Sequence, residues 1–273
     1  MDFSQFLLKK ILYISISVLV KCSGLMAFNY NFPIRINLPR IPFKSAVVVT
    51  RPQTHSIKDG FATNPIYENF GTKEQIEATA KANPRIQELL SEHNISLKVN
   101  VDELEKLKQG HMKDTRIVAA KIYSSLPTEL KEKVSLPHLQ EAAMLHDYGK
   151  VLIPESVLNK KGKLDADERE IMELHSELGY ELLKNKGVSE KTLNLVKYHH
   201  QNLNGNGYPA KTKDFEYGID AQILSTADKY TALREKRAYK NQMGKYEALE
   251  IIAKDVNNGQ ISQDVYTALI RSV

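Results

Sequence analysis

Cys22 is the only cysteine in this 273-residue chain. That excludes a disulfide framework and a cysteine-built zinc site, and it fits a reducing compartment. The apolar run from Ile11 to Val20, closed by Lys21, falls short of the roughly 20 residues a membrane-spanning helix needs. It follows Lys9-Lys10 as the apolar part of a signal peptide would, but no Ala-x-Ala site comes after it, and Lys21 stands where a lipoprotein signal wants a small residue. Residues 1–25 read as a short signal or anchor, or as an extension ahead of a start at Met26. The second half lacks any β-branched alternation that would mark a strand. No internal repeat is visible, and the first hundred residues contain no recognisable sensor or receiver domain.

Broad basicity is missing too, despite a net charge of +5. Residues 1–60 carry 8 Lys/Arg against 2 Asp/Glu, while residues 61–273 carry 30 against 31. A nearly neutral main body excludes an extended DNA- or RNA-binding face. The basic segment suits contact with an anionic membrane surface, or simply a solvated tail. The expected location is cytoplasmic, membrane-associated through the N-terminus if that contact is made.

With 42% hydrophobic residues, the chain can bury one large domain plus an appendage. Three segments follow. Residues 1–70 are basic, with prolines at 33, 39, 42, 52 and 65; they read as extended, partly disordered chain, with a short strand at Ser45 to Thr50. Residues 71–100 form a helical linker interrupted at Pro84. Residues 101–273 read as helices with short breaks. Asp102 caps the first, and Ile117, Ala120 and Ile122 carry one apolar face. A helix from Asp165 runs through His175 to Leu183, Ser189 opens the next, and Asn204 to Pro209 must be a loop. The fold class is all-α.

Within this helical half lie His111, His146-Asp147, His175, His199-His200 and Asp228. Five histidines and two aspartates among apolar residues need buried partners, or each costs free energy. Shared coordination of divalent ions satisfies them together, and His and Asp are ligands for borderline and hard cations. His55, His93 and His138 lie at tails or helix ends, where a structural or solvent role is expected.

The same residues resemble, in order, the motifs of the HD-GYP domain, a subgroup of the HD metal-dependent phosphohydrolases. His111 with Arg116 is similar to the opening His-x4-Arg, and Leu145 to Lys150 to the HDxGK segment. Ile153-Pro154 and Leu158 to Leu164 resemble the stretch after it. Glu168, Ile171-Met172, His175 and Gly179 match the following helix. Tyr198-His199-His200 with Gly205 to Pro209 resembles the HH…GxGYP motif, and Ile223 to Asp228 with Arg237-Ala238-Tyr239 the closing segment. The resemblance implies an HD-domain helical bundle that hydrolyses cyclic di-GMP to pGpG or GMP in bacterial second-messenger signalling. It implies His111, His146, Asp147, His175, His199, His200 and Asp228 as ligands of two divalent ions, iron or manganese before zinc, magnesium or nickel. Asp147 would bridge the ions and serve catalysis with Lys150, and Lys150 and Arg237 would contact substrate phosphate or base. A homodimer is a further expectation.

The chain departs from the pattern in places. Leu107 stands one helical turn before His111, where members with a third ion have Glu. Gln201 and Asn204 replace acids, expected to loosen the orientation of the ligands, and Thr231 and Arg234 replace Asp and Thr. An HD phosphohydrolase acting on another nucleotide and a non-catalytic signalling module both remain open.

Overall fold

The computed structural model describes residues 71–210, 216–235 and 242–273, and every element among them is helical. Residues 1–70, with the predicted strand at Ser45 to Thr50 and His55, lie outside the described residues. In chain order the helices are α1 (Lys73–Ala82), α2 (Pro84–Glu92) and α3 (Val101–Leu107), then a π-helical turn (Lys108–Met112) that leads into α4 (Lys113–Ser125). After α5 (Thr128–Lys131) and α6 (Leu136–Leu145) comes a 3-10 turn (Tyr148–Leu152). Then follow α7 (Glu155–Leu158), α8 (Ala166–Glu173), α9 (His175–Leu183), α10 (Glu190–Tyr198), α11 (Ile219–Arg234), α12 (Lys245–Asn257) and α13 (Gln263–Ser272).

Several of these helices start with side-chain capping, in which a short polar side chain accepts from an otherwise unpaired first-turn N–H. Asn83 closes α1 and caps α2, accepting from the N–H groups of Arg85 and Ile86, with Pro84 in the first helical position. Asp165 and Glu168 form a reciprocal capping box at α8. Ser189 caps α10. Asn100, rather than the predicted Asp102, caps α3, its side chain accepting from Glu103 N. The helix predicted to run unbroken from Asp165 is divided at Leu174, so that His175 opens a new helix.

Helix α4 lies at the centre, packed by α6, α11 and α13. Its buried stripe is Thr115, Ala119 and Ile122, spaced four and three residues apart as one helical face requires. Ile117, predicted on that face, instead points outward and is 40% exposed. Helices α1 and α2 bury Ile76, Ala80, Ile86, Leu89 and Leu90 in the same core. They are tied to α9 by Asn83 Nδ2, which donates to Glu181 Oε2 at 2.9 Å, and by Arg85, 3.1 Å from Glu177.

Helix α9 also receives the 3-10 turn at close range. A Cβ on Gly149 would lie 2.0 Å from the His175 carbonyl oxygen and 2.5 Å from Gly179 N. Only glycine lets the two backbones meet there. This contact sets the segment after His146-Asp147 directly against His175.

Candidate metal centre

The seven singled-out residues reach the centre from five segments of the chain. His111 sits in the π turn, which inserts an extra residue per turn and rotates the helix that follows. His146 ends α6, and Asp147 follows it before the 3-10 turn. His175 is the first residue of α9, His199 the last-turn cap of α10, and Asp228 lies mid-way along α11. All except the half-buried His200 are buried.

The outward nitrogens of three rings are fixed by backbone. His146 Nδ1 lies 2.9 Å from Ala143 O, His175 Nδ1 2.6 Å from Met172 O, and His199 Nδ1 2.7 Å from Val196 O. A carbonyl can only accept, so each Nδ1 carries the proton and each Nε2 presents a lone pair inward. His175 Nε2 and His199 Nε2 face one another at 3.2 Å. Two lone pairs at that separation repel unless a cation lies beside both. The spacing matches two ligands on one ion, roughly 3.0–3.4 Å for metal–nitrogen bonds of about 2.1 Å. His146 Nε2, buried, has no hydrogen-bond partner among the described residues.

The carboxylates each face two ways. Asp147 Oδ1 is 3.5 Å from His175 Nε2, while Oδ2 is 3.5 Å from His146 Nε2, 3.7 Å from His111 Nε2 and 2.6 Å from Lys150 Nζ. Asp228 Oδ1 is 2.8 Å from His111 Nε2 and 3.7 Å from His146 Nε2, and Oδ2 is 3.8 Å from His200 Nδ1. Potential ligand atoms come within 4.8 Å of one another in three sets: His175, His199 and His200; His111, His146 and Asp228; His146, Asp147 and His199. This donor set fits divalent cations.

Electrostatics agree. Burial alone would raise the Asp147 carboxyl, but the charges of Lys150 and His111 hold it well below the usual range. Burial opposes ionisation of Asp228 as well, and the His111 hydrogen bond overcomes it. Burial pushes His175 down to about 3 and His200 down to about 4, and lowers His146 and His199. These rings are therefore neutral at pH 7 and the carboxylates ionised, the states that metal ligation requires. His111 departs: burial lowers it, but hydrogen bonds to Asp228 and Glu235 raise it to about 10.

A cavity of about 500 Å³ opens onto the cluster, lined by Lys150, Lys160, Tyr208 and Glu235 among others. Tyr208 stacks on His200, with ring centroids 4.6 Å apart and planes at 30°. Gln201, buried, holds the loop that carries Tyr208. Its Nε2 donates to Pro209 O at 2.8 Å and its Oε1 accepts from Gly207 N at 2.8 Å. The amide thus pins the loop, where the sequence reading expected an effect on ligand orientation. A Cβ on Gly207 would come within 2.2 Å of His200 O, which accounts for glycine at that place in the motif.

Arg237 lies outside the described residues. His138 pairs with Ser135 at 2.7 Å and His93 with Leu89 O at 3.0 Å, both away from the cluster. Sequence reasoning missed Glu235, whose Oε1 lies 2.9 Å from His111 Nδ1. Its separation of 124 residues from His111 leaves no local signal. Lys160, which sits on the cavity paired with Glu168 and Asp165, was legible only as part of a motif.

A buried His/Asp cluster on an all-helical bundle is the architecture of the HD domain. Residues 98–265 match the family model described as "HD domain", and the chain belongs to that family. A 3′3′-cGAMP-specific phosphodiesterase 2 of Vibrio cholerae serotype O1 is 39% identical over 105 residues, 38% of this chain and 20% of that protein. A cyclic di-GMP phosphodiesterase of Thermotoga maritima is 33% identical over 141 residues, covering 51% and 38% respectively. The cyclic di-GMP phosphodiesterase response regulator RpfG of Xanthomonas campestris pv. campestris is 40% identical over 105 residues, covering 37% and 28%. The chain spans 20–38% of the length of these relatives. No helix among the described residues is long and apolar enough to cross a membrane.

Proposed function

We propose that this chain is a metal-dependent phosphodiesterase that hydrolyses a cyclic dinucleotide, cyclic di-GMP first, to pGpG or GMP. The observation that carries the reading is the convergence of inward Nε2 lone pairs on Asp147 and Asp228 beside an open, lysine-bearing cavity. His111, His146, Asp147, His175, His199, His200 and Asp228 would hold two divalent ions, with iron or manganese preferred. Asp147, whose two oxygens face different histidines, is the residue suited to bridge. When bound, such ions supply Lewis-acid charge to a phosphate and activate water for in-line attack.

The remaining work falls to the chain's own groups. Lys150 Nζ, 2.6 Å from Asp147 Oδ2 and part of the cavity wall, offers a point charge to a phosphate oxygen while staying paired to the bridging carboxylate. Tyr208, stacked on the His200 ring, orients it. Lys160 also lines the cavity, paired with Glu168 and Asp165. We also propose Arg237 as a substrate contact, as the motif resemblance implies.

A second substrate, 3′3′-cGAMP, is favoured by the relative that is 39% identical and bears that specificity in its name. The experiment that decides is incubation of the purified full chain with each dinucleotide and manganese or ferrous iron, followed by chromatography of the products. Linear dinucleotide or mononucleotide from cyclic di-GMP establishes the first reading, and cleavage of cGAMP alone the second. No cleavage of either sinks both.

A further inference from the structure

The two halves of the cluster are not chemically equivalent. His175 and His199 turn their outer nitrogens to neutral backbone carbonyls, and they share a potential ion site with His200. The other set, His111, His146 and Asp228, contains one ring whose outer nitrogen meets a carboxylate instead: His111 Nδ1 lies 2.9 Å from Glu235 Oε1. Glu235 caps the C-terminus of α11, seven residues beyond Asp228. Helix α11 therefore supplies a carboxylate to His111 Nε2, Asp228 at 2.8 Å, and its C-cap residue supplies another to the far side of the ring.

We infer that Glu235 is a positioning residue for the ion site formed by His111, His146 and Asp228, acting through His111. The inference rests on the metal-centre reading above. An imidazole that donates to an anion is a stronger ligand and is held to one ring orientation. In the ion-bound form His111 Nδ1–H donates to Glu235 while Nε2 faces the ion. A neutral carbonyl in the same place orients the ring with less charge. Glu235 thus sets a difference in affinity between the two ions. The set with Glu235 behind it holds its ion the more tightly, and the three-histidine set releases its ion first.

The test compares the full chain with Glu235→Gln and Glu235→Ala. Each protein is stripped with a chelator and titrated with manganese, and bound ion is followed by elemental analysis and electron paramagnetic resonance. Glutamine keeps an acceptor for Nδ1–H but removes the charge, and alanine removes both. One ion should weaken about 10–100-fold, in the order alanine worse than glutamine, while the affinity of the other stays unchanged. The spin-coupled signal of a manganese pair should then give way to that of an isolated ion at sub-saturating metal. Unchanged affinities in Glu235→Ala, or equal weakening of both ions, would overturn the proposal; equal weakening is what a merely structural role produces. Glutamine equal to wild type while alanine is weak would show that the charge is irrelevant and also overturn it. A wild-type chain that binds no manganese, iron or zinc sinks the metal-centre reading itself, a result distinct from any of these. Circular dichroism on each variant separates loss of fold from loss of ion.

Discussion

Asp147 is buried where the Lys150 ammonium, 2.6 Å from its Oδ2, meets the rings of His111, His146 and His175. Replacing it with asparagine keeps the shape and removes the charge. Asp147→Asn is expected to lower bound metal below one ion per chain and to abolish phosphodiester cleavage, read by elemental analysis and product chromatography. Retained turnover would sink the bridging role. Gly149 tests the geometry rather than the charge. The Cβ of Gly149→Ala would overlap the His175 carbonyl, so the 3-10 turn and α9 must move apart. Overpacking of this kind costs about 1–3 kcal/mol, a fall in Tm of roughly 2–12 °C at this size. Gly110→Ala, which meets nothing within 4 Å, is the control and should leave Tm unchanged or raised.

At the level of elements, the loop from Asn202 to Pro209 is tied at Leu203 and Asn204 to Gln260 and Asn258, and at its far end to one buried side chain, Gln201. Gln201 is a donor on one side and an acceptor on the other, a pairing that a carboxylate cannot reproduce. Gln201→Glu places an ionised group against Pro209 O and leaves a carbonyl without its donor. The expected cost is about 1–3 kcal/mol, together with loss of the Tyr208 stack on His200. Thermal unfolding checks the first part, and a rise in KM larger than the fall in kcat checks the second. A Tm equal to wild type would show that the loop is held by other contacts. The π turn belongs to this scale as well. It lies between α3 and α4 and carries His111, so the face of α3 cannot be projected onto α4 by helical spacing alone.

For the whole molecule, the candidate ligands come from the π turn, the end of α6, the start of α9, the end of α10 and the middle of α11. An ion that binds them joins segments spread over more than a hundred residues of chain. Binding to the folded state alone stabilises it by RT ln(1 + [L]/Kd), about 2.7 kcal/mol at a hundredfold excess over Kd. Manganese or ferrous iron should therefore raise Tm by roughly 5–11 °C, and a chelator should reverse the rise. Differential scanning calorimetry with and without chelator decides. A Tm insensitive to both metals would count against any tight ion in this cluster.

The sequence by itself determined the helical class, the helix starts at Asp165 and Ser189 and the seven residues that meet. Those depend on local chemistry: caps such as Asp165 and Ser189, breakers such as Pro84 and Gly207, and polar ligand types set among apolar neighbours. The family motifs were legible for the same reason, since each is a short contiguous stretch. Tertiary structure decided what local spacing cannot carry. Asn100 took the cap from Asp102, and the buried face of α4 excluded Ile117. Gln201 went to the loop rather than to the ligands. Glu235 met His111 across 124 residues. Each of these depends on which helices pack against α4 and α9, and that packing is a property of the folded chain as a whole.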